Sequence, residues 1–320
     1  MSRVLVTGAA GFIGSHVVER LLAGEHEVIG LDNLDDFYSP AVKRQNLSAA
    51  LENPLFRFIE GDIRDPDALE TLPDGISLII HLAARAGVRP SIEQPMLYQE
   101  VNVRGTQQLL EYARSKGIRR FIFGSSSSVY GNSEKVPFSE DEAAGHPISP
   151  YAATKRAGEL LCHTYHHLFG IGCVALRFFT VYGPRQRPDL AIHKFTRLMS
   201  NGEQVPRFGD GSTERDYTHI SDILQGIDGS IRFLEDRVDS FEIINLGESE
   251  TVALSRLISL IAGALGVEPR IEQLPMQPGD VVRTCADISK ARQLLAYDPR
   301  TKIDDGIPAF VEWFRLSGDS

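Results

Sequence analysis

The segment at residues 3–14, RVLVTGAAGFIG, joins a short apolar run to a glycine-rich turn and to the start of an amphipathic helix. Gly8 suits the tight turn, Gly11 lets backbone N–H groups approach a pyrophosphate, and Gly14 allows close packing of the helix on the strand. The N-terminus of the helix would then face the phosphates. The segment therefore predicts the phosphate-binding turn of a dinucleotide site.

An acidic residue, Asp32, ends the next apolar run at residues 27–32. Its carboxylate suits hydrogen bonds from both hydroxyls of a ribose and would repel a 2′-phosphate, so the sequence favours NAD over NADP. Residues 61–63 follow the third apolar run, where the adenine would lie. Residues 81–84 end the fourth run with small side chains that leave room beside the cofactor.

Short apolar runs alternate with helix-like segments through the first half of the chain. Continuous apolar runs suit strands buried on both faces, and their alternation with helices is typical of a parallel sheet. We therefore predict an α/β fold, a Rossmann-type doubly wound parallel sheet with a smaller mixed α/β C-terminal substrate domain. The predicted strands lie at residues 3–7, 27–32, 56–60, 78–82, 120–125 and 173–177, and the predicted helices at 13–23, 67–72, 96–116, 151–169 and 251–265.

Composition and charge exclude several classes of protein. Of 320 residues, 42% are hydrophobic and 24% charged, which is ordinary for a globular chain. The 33 Lys and Arg against 43 Asp and Glu leave a net charge of −10, which argues against charge-driven nucleic-acid binding. Cys162, Cys173 and Cys285 form no CxxC pair, so we expect no disulfide framework, no metal site and a cytoplasmic location. No apolar run reaches about 18 residues, so we expect no membrane span.

Tyr151 and Lys155 lie four residues apart at the start of a predicted helix, so their side chains share one face. An unperturbed tyrosine has a pKa of about 10 and is a poor base at neutral pH. An adjacent ammonium and the positive charge of the cofactor would both lower that pKa. With the glycine turn upstream and four serines at residues 125–128, the pair predicts an oxidoreductive active site.

The chain resembles the extended short-chain dehydrogenase/reductase family, in particular its nucleotide-sugar epimerases and dehydratases, from about residue 7 to residue 291. The resemblance implies tightly bound NAD, a UDP- or dTDP-sugar substrate, and a homodimer that pairs the helices at 96–116 and 151–169. It also implies an NAD-binding domain at 1–178 plus about 216–248, and a nucleotide-sugar-binding domain at about 179–215 and 249–320. The segments that carry it are GAAGFIG (8–14), GDIRD (61–65), HLAA (81–84), SSSSVYG (125–131), YAATK (151–155), RFFTVYGPRQRPD (177–189), RDYTHISDI (215–223) and PGDVVRTCADISKA (278–291).

The same resemblance assigns roles to individual residues. Tyr151 would remove the proton of the sugar 4-hydroxyl, Lys155 would hold the nicotinamide ribose, and Ser126 and Ser128 would position the reacting oxygen. The cofactor-binding residues that it implies are Gly8, Gly11, Phe12, Ile13, Gly14, Asp32, Asn33, Asp62, Ile63, Leu82, Ala83, Ala84, Arg85, Asn102, Tyr151, Lys155 and Phe179. The substrate-binding residues are Arg89, Ser126, Ser128, Tyr151, Thr180, Arg187, Val205, Arg207, Phe208, Arg215 and Asp280.

The residues after Ser126 distinguish reactions within the family. Similar 4,6-dehydratases have an Asp-Glu pair where this chain has Ser127 and Ser128, and UDP-glucuronate decarboxylases and GDP-mannose dehydratases have Glu at the second position. The absence of a carboxylate disfavours these classes and favours epimerisation at carbon 4 through a 4-keto intermediate. The segments LDNLDDFYSPAVKRQNL (31–47) and AARAGVRPSIE (83–93) are most similar to UDP-glucuronate 4-epimerases, whose product is UDP-galacturonate.

Several alternatives stay open. The substrate could instead be UDP-glucose or UDP-N-acetylglucosamine, the activity could be decarboxylase-like or that of a dehydratase, or the chain could be a non-catalytic NAD-binding sensor. Glucuronate adds one requirement, because oxidation at carbon 4 makes a β-keto acid that readily loses carbon dioxide. Hydroxyls and an arginine would restrain its carboxylate. We predict Thr180, Ser128 and Arg187 for this role, with Arg89 as the competing arginine.

Overall fold

The chain folds into alternating strands and helices, and the computed structural model describes residues 2–275 and 283–317. The described strands are β1 (Arg3–Thr7), β2 (Glu27–Asp32), β3 (Phe56–Glu60), β4 (Ile76–His81), β5 (Arg120–Ser126), β6 (Gly172–Phe178), β7 (Thr180–Tyr182), β8 (Gln204–Phe208), β9 (Glu214–His219), β10 (Phe241–Leu246), β11 (Thr251–Ala253) and β12 (Arg270–Leu274). The described helices are α1 (Phe12–Ala23), α2 (Pro40–Asn46), α3 (Ser48–Leu51), α4 (Pro66–Glu70), α5 (Val88–Glu93), α6 (Pro95–Tyr98), α7 (Gly105–Ser115), α8 (Pro150–Phe169), α9 (Ala191–Ser200), α10 (Ile220–Asp236), α11 (Leu254–Leu265), α12 (Ser289–Leu295) and α13 (Ile303–Ser317).

A large sheet of seven strands has the order β10-β6-β5-β4-β1-β2-β3, and each neighbouring pair is parallel. Its central strands are buried along almost their whole length, as continuous apolar runs require. The chain builds outward from β1 to β3 and then returns to place β4 on the other side of β1. Ligands bind outside the carboxyl ends of the strands at such a reversal.

Helices cover both faces of this sheet. Apolar side chains of α1, α10 and α12, among them Val17 and Ile227, form a core on one face. Those of α4, α7 and α8, among them Leu109 and Cys162, form a core on the other. The predicted Rossmann-type doubly wound sheet is therefore confirmed.

The C-terminal part of the chain adds smaller sheets with their own core. Strand β9 pairs in parallel with β7 and antiparallel with β11, while β8 and β12 form a parallel pair. Side chains of α9, α11 and α13, such as Phe195, Ile261 and Phe310, pack against them. The predicted mixed α/β region is confirmed.

The predicted domain boundaries stay a prediction. Helix α10 contacts the core of the large sheet and β10 pairs within that sheet, whereas β9 belongs to a small sheet.

Two predicted helices differ from the structure. The helix predicted at 251–265 begins at Leu254, because Thr251–Ala253 pairs antiparallel with β9, where β-branched Thr251 and Val252 fit a strand. The helix predicted at 96–116 consists of α6, a π-helical turn at Gln99–Arg104 and α7.

In residues 2–275 and 283–317, no helix combines the length and the apolar character needed to cross a membrane.

Candidate active site

A cavity of about 490 Å³ lies at the carboxyl ends of the central strands, where β1 adjoins β4. The glycine turn after β1, the end of β2, the segment after β4 and the start of α8 all contribute to its wall. Segments that are far apart in the sequence thus meet at one cavity. The predicted residues that line it are Gly8, Gly11, Phe12, Ile13, Gly14, Asp32, Asn33, Asp62, Ile63, Leu82, Ala83, Ala84, Arg85, Ser126, Ser128, Tyr151, Lys155, Phe179, Thr180 and Arg187.

The glycine turn keeps the backbone exposed to the cavity. Gly8 has a φ of +70°, and a Cβ atom on it would lie 2.7 Å from the backbone nitrogen of Ala83. A Cβ on Gly14 would lie 2.0 Å from the carbonyl oxygen of Gly8, so neither position accepts a side chain. Gly11 is the N-cap of α1 and has no side chain to cap it, which leaves the first N–H groups for an anion. This cradle fits the pyrophosphate of a dinucleotide.

Asp32 closes the end of the cavity at β2. Its carboxylate oxygens accept the backbone N–H groups of Ala10 at 3.0 Å and Leu34 at 2.9 Å. Burial raises the pKa of this carboxyl, and the nearby Lys43 ammonium opposes that rise. Each oxygen keeps a lone pair for a ribose hydroxyl, so the residues present fit the adenosine half of NAD.

Asp62 lines the same cavity as Asp32 and is held by two neighbours. Asn33 donates to it at 2.9 Å, and Arg64 donates two side-chain hydrogen bonds at 2.9 and 2.7 Å. Although burial would raise its pKa, the Arg64 hydrogen bonds hold the pKa of Asp62 at about 2. The cavity wall here is therefore a fixed, ionised carboxylate, with Ile63 beside it.

Tyr151 and Lys155 lie in the first turns of α8, on the side of the helix that lines the cavity. Ser149 caps this helix by accepting the N–H of Ala152 at 3.1 Å. Lys155 Nζ donates to the carbonyl of Gly124 at 2.7 Å, which places the ammonium against the end of β5. Burial lowers the pKa of Lys155 to about 8, although the Glu159 carboxylate opposes the decrease.

The electrostatic surroundings of Tyr151 differ from the prediction. Burial raises the pKa of its phenol, and the groups that oppose the rise are the Ser126 hydroxyl and the Arg187 guanidinium. The sequence predicted that the Lys155 ammonium would lower the pKa of Tyr151, but that ammonium donates to the carbonyl of Gly124 instead. The positive charge of an oxidised nicotinamide would, like Arg187, favour the phenolate and lower the pKa of Tyr151.

The serines after Gly124 form a short capped turn. Ser126 accepts the backbone N–H of Ser128 at 3.2 Å, and its hydroxyl donates to Ser128 Oγ at 3.1 Å. Ser126, Ser127 and Ser128 all line the cavity, so this turn presents hydroxyls where a dehydratase would have carboxylates.

Arg187 reaches the cavity from the loop that follows β7. Its Nε and Nη2 donate to the two carboxylate oxygens of Asp189 at 2.9 and 2.8 Å, and 17% of its side chain is exposed. Thr180, at the start of β7, lines the same cavity. A largely buried guanidinium in the cavity that Tyr151 also lines suits an anionic group on a bound molecule.

A second cavity of about 490 Å³ adjoins the first, and Ser128 and Thr180 line both. Arg89 and Arg215 line the second cavity, which therefore carries two cations suited to a diphosphate. The Arg89 guanidinium lies 5.1 Å from the centre of the Phe208 ring. Arg89 thus lies in the second cavity, whereas Asp32 lines the first.

Other predicted substrate residues lie outside both cavities. Val205 is fully buried in β8. The guanidinium of Arg207 donates to Gln273 at 3.0 and 2.7 Å. Asp280 lies outside the described residues. These substrate contacts stay predictions.

Asn102 has a different position from the other predicted cofactor residues. Its side chain accepts the N–H of Arg85 at 2.8 Å and donates to the Arg85 carbonyl at 2.9 Å and to Thr154 at 3.0 Å. It therefore joins the segment after β4 to α8, and it lines neither cavity. Direct contact between Asn102 and a cofactor stays a prediction.

The prediction omitted several residues that also shape this region. The hydroxyl of Tyr38 is buried and has no hydrogen-bond partner within residues 2–275 and 283–317. Phe37, Tyr38 and Lys43 belong to the segment at 31–47, and Asp189 belongs to the segment at 177–189. The position of the first segment at the cavity depends on contacts with distant residues such as Arg85. The omitted residues are Phe37, Tyr38 and Lys43, which line the first cavity, and Asp189, which lines the second.

Together these groups suit the reversible oxidation of an alcohol on a substrate with an anionic part. Tyr151, Lys155 and the hydroxyls of the serine turn line a cavity whose glycine turn and Asp32 suit a dinucleotide. Arginines line both this cavity and the adjoining one. Such a set can accept a proton from an alcohol oxygen while the adjoining carbon gives up a hydride to a cofactor.

Comparison with known proteins agrees with this chemistry. The model of the NAD dependent epimerase/dehydratase family matches residues 4–247. A UDP-glucuronate 4-epimerase of Thermodesulfobacterium geofontis is 41% identical over 316 residues, covering 98% of this chain and 96% of the relative. The crystal structure of UDP-glucuronic acid 4-epimerase from Bacillus cereus, with UDP-glucuronic acid and NAD, matches with a TM-score of 0.91 at 38% identity, over 98% of this chain and 99% of that one. A UDP-N-acetylglucosamine 4-epimerase from Methanobrevibacter ruminantium, with UDP-N-acetylmuramic acid, matches with a TM-score of 0.90 at 31% identity, over 99% of each chain.

Proposed function

The chain belongs to the NAD-dependent epimerase/dehydratase family, and we propose that it is an isomerase that inverts carbon 4 of a UDP-sugar, converting UDP-glucuronate to UDP-galacturonate. The observation that carries the choice of substrate is the placement of Arg187 in the main cavity, which Tyr151 also lines. A largely buried cation at that point suits a sugar whose carbon 6 is a carboxylate.

The cofactor is NAD, held by the glycine turn, Asp32 and Lys155. When bound, NAD accepts a hydride from carbon 4 of the sugar and later returns it. Asp32 supports NAD over NADP, because its buried carboxylate would repel a 2′-phosphate.

Tyr151 acts as the base at the sugar 4-hydroxyl. Its phenolate accepts the hydroxyl proton as the ketone forms and returns the proton when the alcohol forms again on the opposite face. Ser126 and Ser128 hydrogen-bond to the reacting oxygen and hold it against Tyr151. Lys155, an ammonium at the end of β5, holds the nicotinamide ribose and adds positive charge to the site.

Arg187, Thr180 and Ser128 hold the substrate carboxylate. The 4-keto sugar loses carbon dioxide most readily when the bond from carbon 5 to the carboxylate stands perpendicular to the ketone plane. A fixed guanidinium and two hydroxyls keep the carboxylate away from that alignment. Arg89 and Arg215 line the adjoining cavity, where they suit the diphosphate of UDP.

Each alternative function predicts a different set of residues in this site. A dehydratase or a decarboxylase of this family needs a carboxyl group where Ser127 and Ser128 stand. A UDP-glucose or UDP-N-acetylglucosamine epimerase has no need of a buried arginine in the cavity that the base lines. A non-catalytic sensor has no need of Tyr151 and Lys155 together.

The test is to incubate the purified protein separately with UDP-glucuronate, UDP-glucose and UDP-N-acetylglucosamine and to resolve the products by anion-exchange chromatography. We expect UDP-galacturonate from the first. In Tyr151→Phe, turnover should fall by about 10²–10⁴-fold with NAD still bound, because the base is gone. Inversion of the neutral sugars alone would refute the choice of substrate, and undiminished turnover in Tyr151→Phe would refute the assigned base.

We further propose that the protein acts as a cytoplasmic homodimer. The three described cysteines are buried and unpaired, which suits a reducing compartment. Helix α8 presents Leu160, Leu168 and Phe169 to solvent, with 54%, 61% and 42% of each exposed. Apolar side chains along one helix are typical of a face that pairs with another subunit.

A further inference from the structure

An aromatic side chain contacts two arginines of the active site. The centre of the Phe37 ring lies 4.9 Å from Cζ of Arg85 and 5.4 Å from Cζ of Arg187. Each arginine has its own acid, since Arg85 pairs with Asp35 and Arg187 pairs with Asp189. Because the acids balance both cations, one ring can contact the two guanidinium groups without strong repulsion between them.

The position of Phe37 is set by its own segment, residues 34–38. Its backbone N–H donates to Asp35 Oδ1 at 2.9 Å, and the N–H of Asp35 donates to Asn33 at 3.1 Å. Lys43 Nζ donates to the carbonyl of Asp35 at 2.6 Å. The Phe37 ring therefore belongs to a hydrogen-bonded segment that follows directly after Asp32, the residue proposed to bind the cofactor ribose.

Arg187 is held along one edge by Asp189, which accepts from Nε and Nη2. These two bonds occupy one edge of the guanidinium, so Nη1, on the other side, can donate to a bound carboxylate. A bidentate pair restricts the guanidinium in its plane but leaves it able to tilt together with Asp189, which is 42% exposed. The contact with Phe37 restricts that tilt.

We propose that Phe37 is a positioning residue that holds Arg187 in the orientation that protects the 4-keto intermediate from decarboxylation. The proposal rests on the proposed function, because it requires a substrate with a carboxylate. Phe37 acts through Arg187 and is assigned no contact with the reacting atoms.

The reaction that Phe37 would suppress can be written in full. The bond between carbons 5 and 6 of the 4-keto sugar breaks, and its electron pair forms the enolate of the ketone. Carbon 6 leaves as carbon dioxide, and carbon 5 takes a proton from water. If the resulting 4-keto pentose leaves before it is reduced, the hydride taken from the sugar stays on the enzyme as reduced cofactor. Each 4-keto pentose that leaves unreduced therefore accounts for one carbon dioxide and one reduced cofactor.

The experiment compares Phe37→Leu, which loses the flat ring, with Phe37→Tyr, which keeps it. Asp36→Asn, an exposed change in the same segment, is the control, and Arg187→His gives the effect of losing the guanidinium itself. Each variant receives UDP-glucuronate, and carbon dioxide, UDP-galacturonate and the absorbance of reduced nicotinamide are measured together.

We expect the ratio of carbon dioxide to UDP-galacturonate to rise about fivefold to tenfold in Phe37→Leu, the effect of one lost cation–π contact, and more in Arg187→His. Phe37→Tyr and Asp36→Asn should keep the ratio of the natural protein. Phe37→Met replaces the Leu variant if that variant does not fold.

The outcomes separate this proposal from the proposed function. A natural protein that leaves UDP-glucuronate unchanged refutes the function before any variant is considered. A natural protein that makes UDP-galacturonate, with an unchanged ratio in a folded Phe37→Leu or Phe37→Met, refutes the role of Phe37 alone. A raised ratio that Phe37→Tyr fails to restore also refutes it, because the aromatic face would then not be the cause.

Discussion

His81 is a buried histidine at the end of β4 whose hydrogen bonds determine its tautomer. The hydroxyl of Thr106 donates to the carbonyl of Asn102 at 2.6 Å, so its oxygen accepts from His81 Nε2 at 2.9 Å. His81 Nδ1 must then accept from the hydroxyl of Thr7 at 2.7 Å. A neutral ring thus ties β4 to β1 and to the start of α7.

This arrangement predicts a loss of stability in mild acid. Burial lowers the pKa of His81 to about 3, whereas an unfolded histidine titrates near its ordinary value of 6.5. The unfolded chain therefore binds the proton first, and the contribution of His81 to the free energy of unfolding is complete above pH 6.5 and declines below it. The decline should be about 1.4 kcal/mol for each pH unit until the folded pKa is reached.

Urea unfolding of the natural protein and of His81→Gln at several pH values between neutrality and mild acid measures this contribution. Glutamine can donate and accept hydrogen bonds but does not titrate. The difference in unfolding free energy between the two proteins should therefore narrow as the pH falls. Parallel curves for the two proteins would contradict the prediction.

Helix α8 carries Tyr151, Lys155 and Glu159 at intervals of four residues, so one face joins the catalytic residues to a buried ion pair. Glu159 accepts two hydrogen bonds from Arg177, both at 2.9 Å, and one from Ser125 at 2.6 Å. Arg177 and Glu159 are each 1% exposed. Through Arg177 the Glu159 carboxylate links α8 to β6, and through Ser125 it links α8 to β5, the strand that leads into the serine turn.

Glu159→Gln should destabilise the protein by about 3–5 kcal/mol, because it leaves the buried Arg177 charge unpaired. It should also lower the pKa of Lys155 further, since the Glu159 carboxylate now opposes the lowering by burial. The alkaline limit of the epimerase pH profile would then move to lower pH. Urea unfolding and the pH dependence of kcat measure the two effects.

Arg156→Met is the matched control for this element. Arg156 also donates to Glu159, at 2.8 Å, but 25% of its side chain is exposed. Its loss should cost less than about 1 kcal/mol and leave the pH profile in place. Equal effects of the two variants would show that the Glu159–Arg177 pair has no special part in holding α8.

The whole molecule offers a test of the proposed homodimer. Leu168 on α8 is 61% exposed, and Leu316 on α13 is 82% exposed. Leu168→Asp should place charge within the subunit contact and give a monomer, whereas Leu316→Asp should leave the dimer intact. Light scattering gives the mass of each variant, and retained NAD shows that the fold is preserved. A dimeric Leu168→Asp would place the subunit contact elsewhere.

Local features of the sequence accounted for the large sheet and for most of the predicted cofactor residues that line the main cavity. Burial on both faces requires continuous apolar strands, and the turn after β1 requires glycine where φ is +70° at Gly8. The position of Asp32 follows from the strand that it ends, and the common face of Tyr151 and Lys155 follows from the helical repeat. Each of these depends on residues that are near one another in the chain, so the pattern was sufficient to predict them.

Tertiary contacts settled what the sequence pattern left open. The segment Thr251–Ala253 is a strand because β9 pairs with it, and Asn102 turns away from the cavity because Arg85 and Thr154 take its hydrogen bonds. Arg187 lines the cavity that Tyr151 lines, whereas Arg89 lines the adjoining one, and Phe37 contacts Arg187 across 150 residues of chain. Such contacts depend on how distant loops pack at the ends of the strands, and no local periodicity or turn preference encodes that packing.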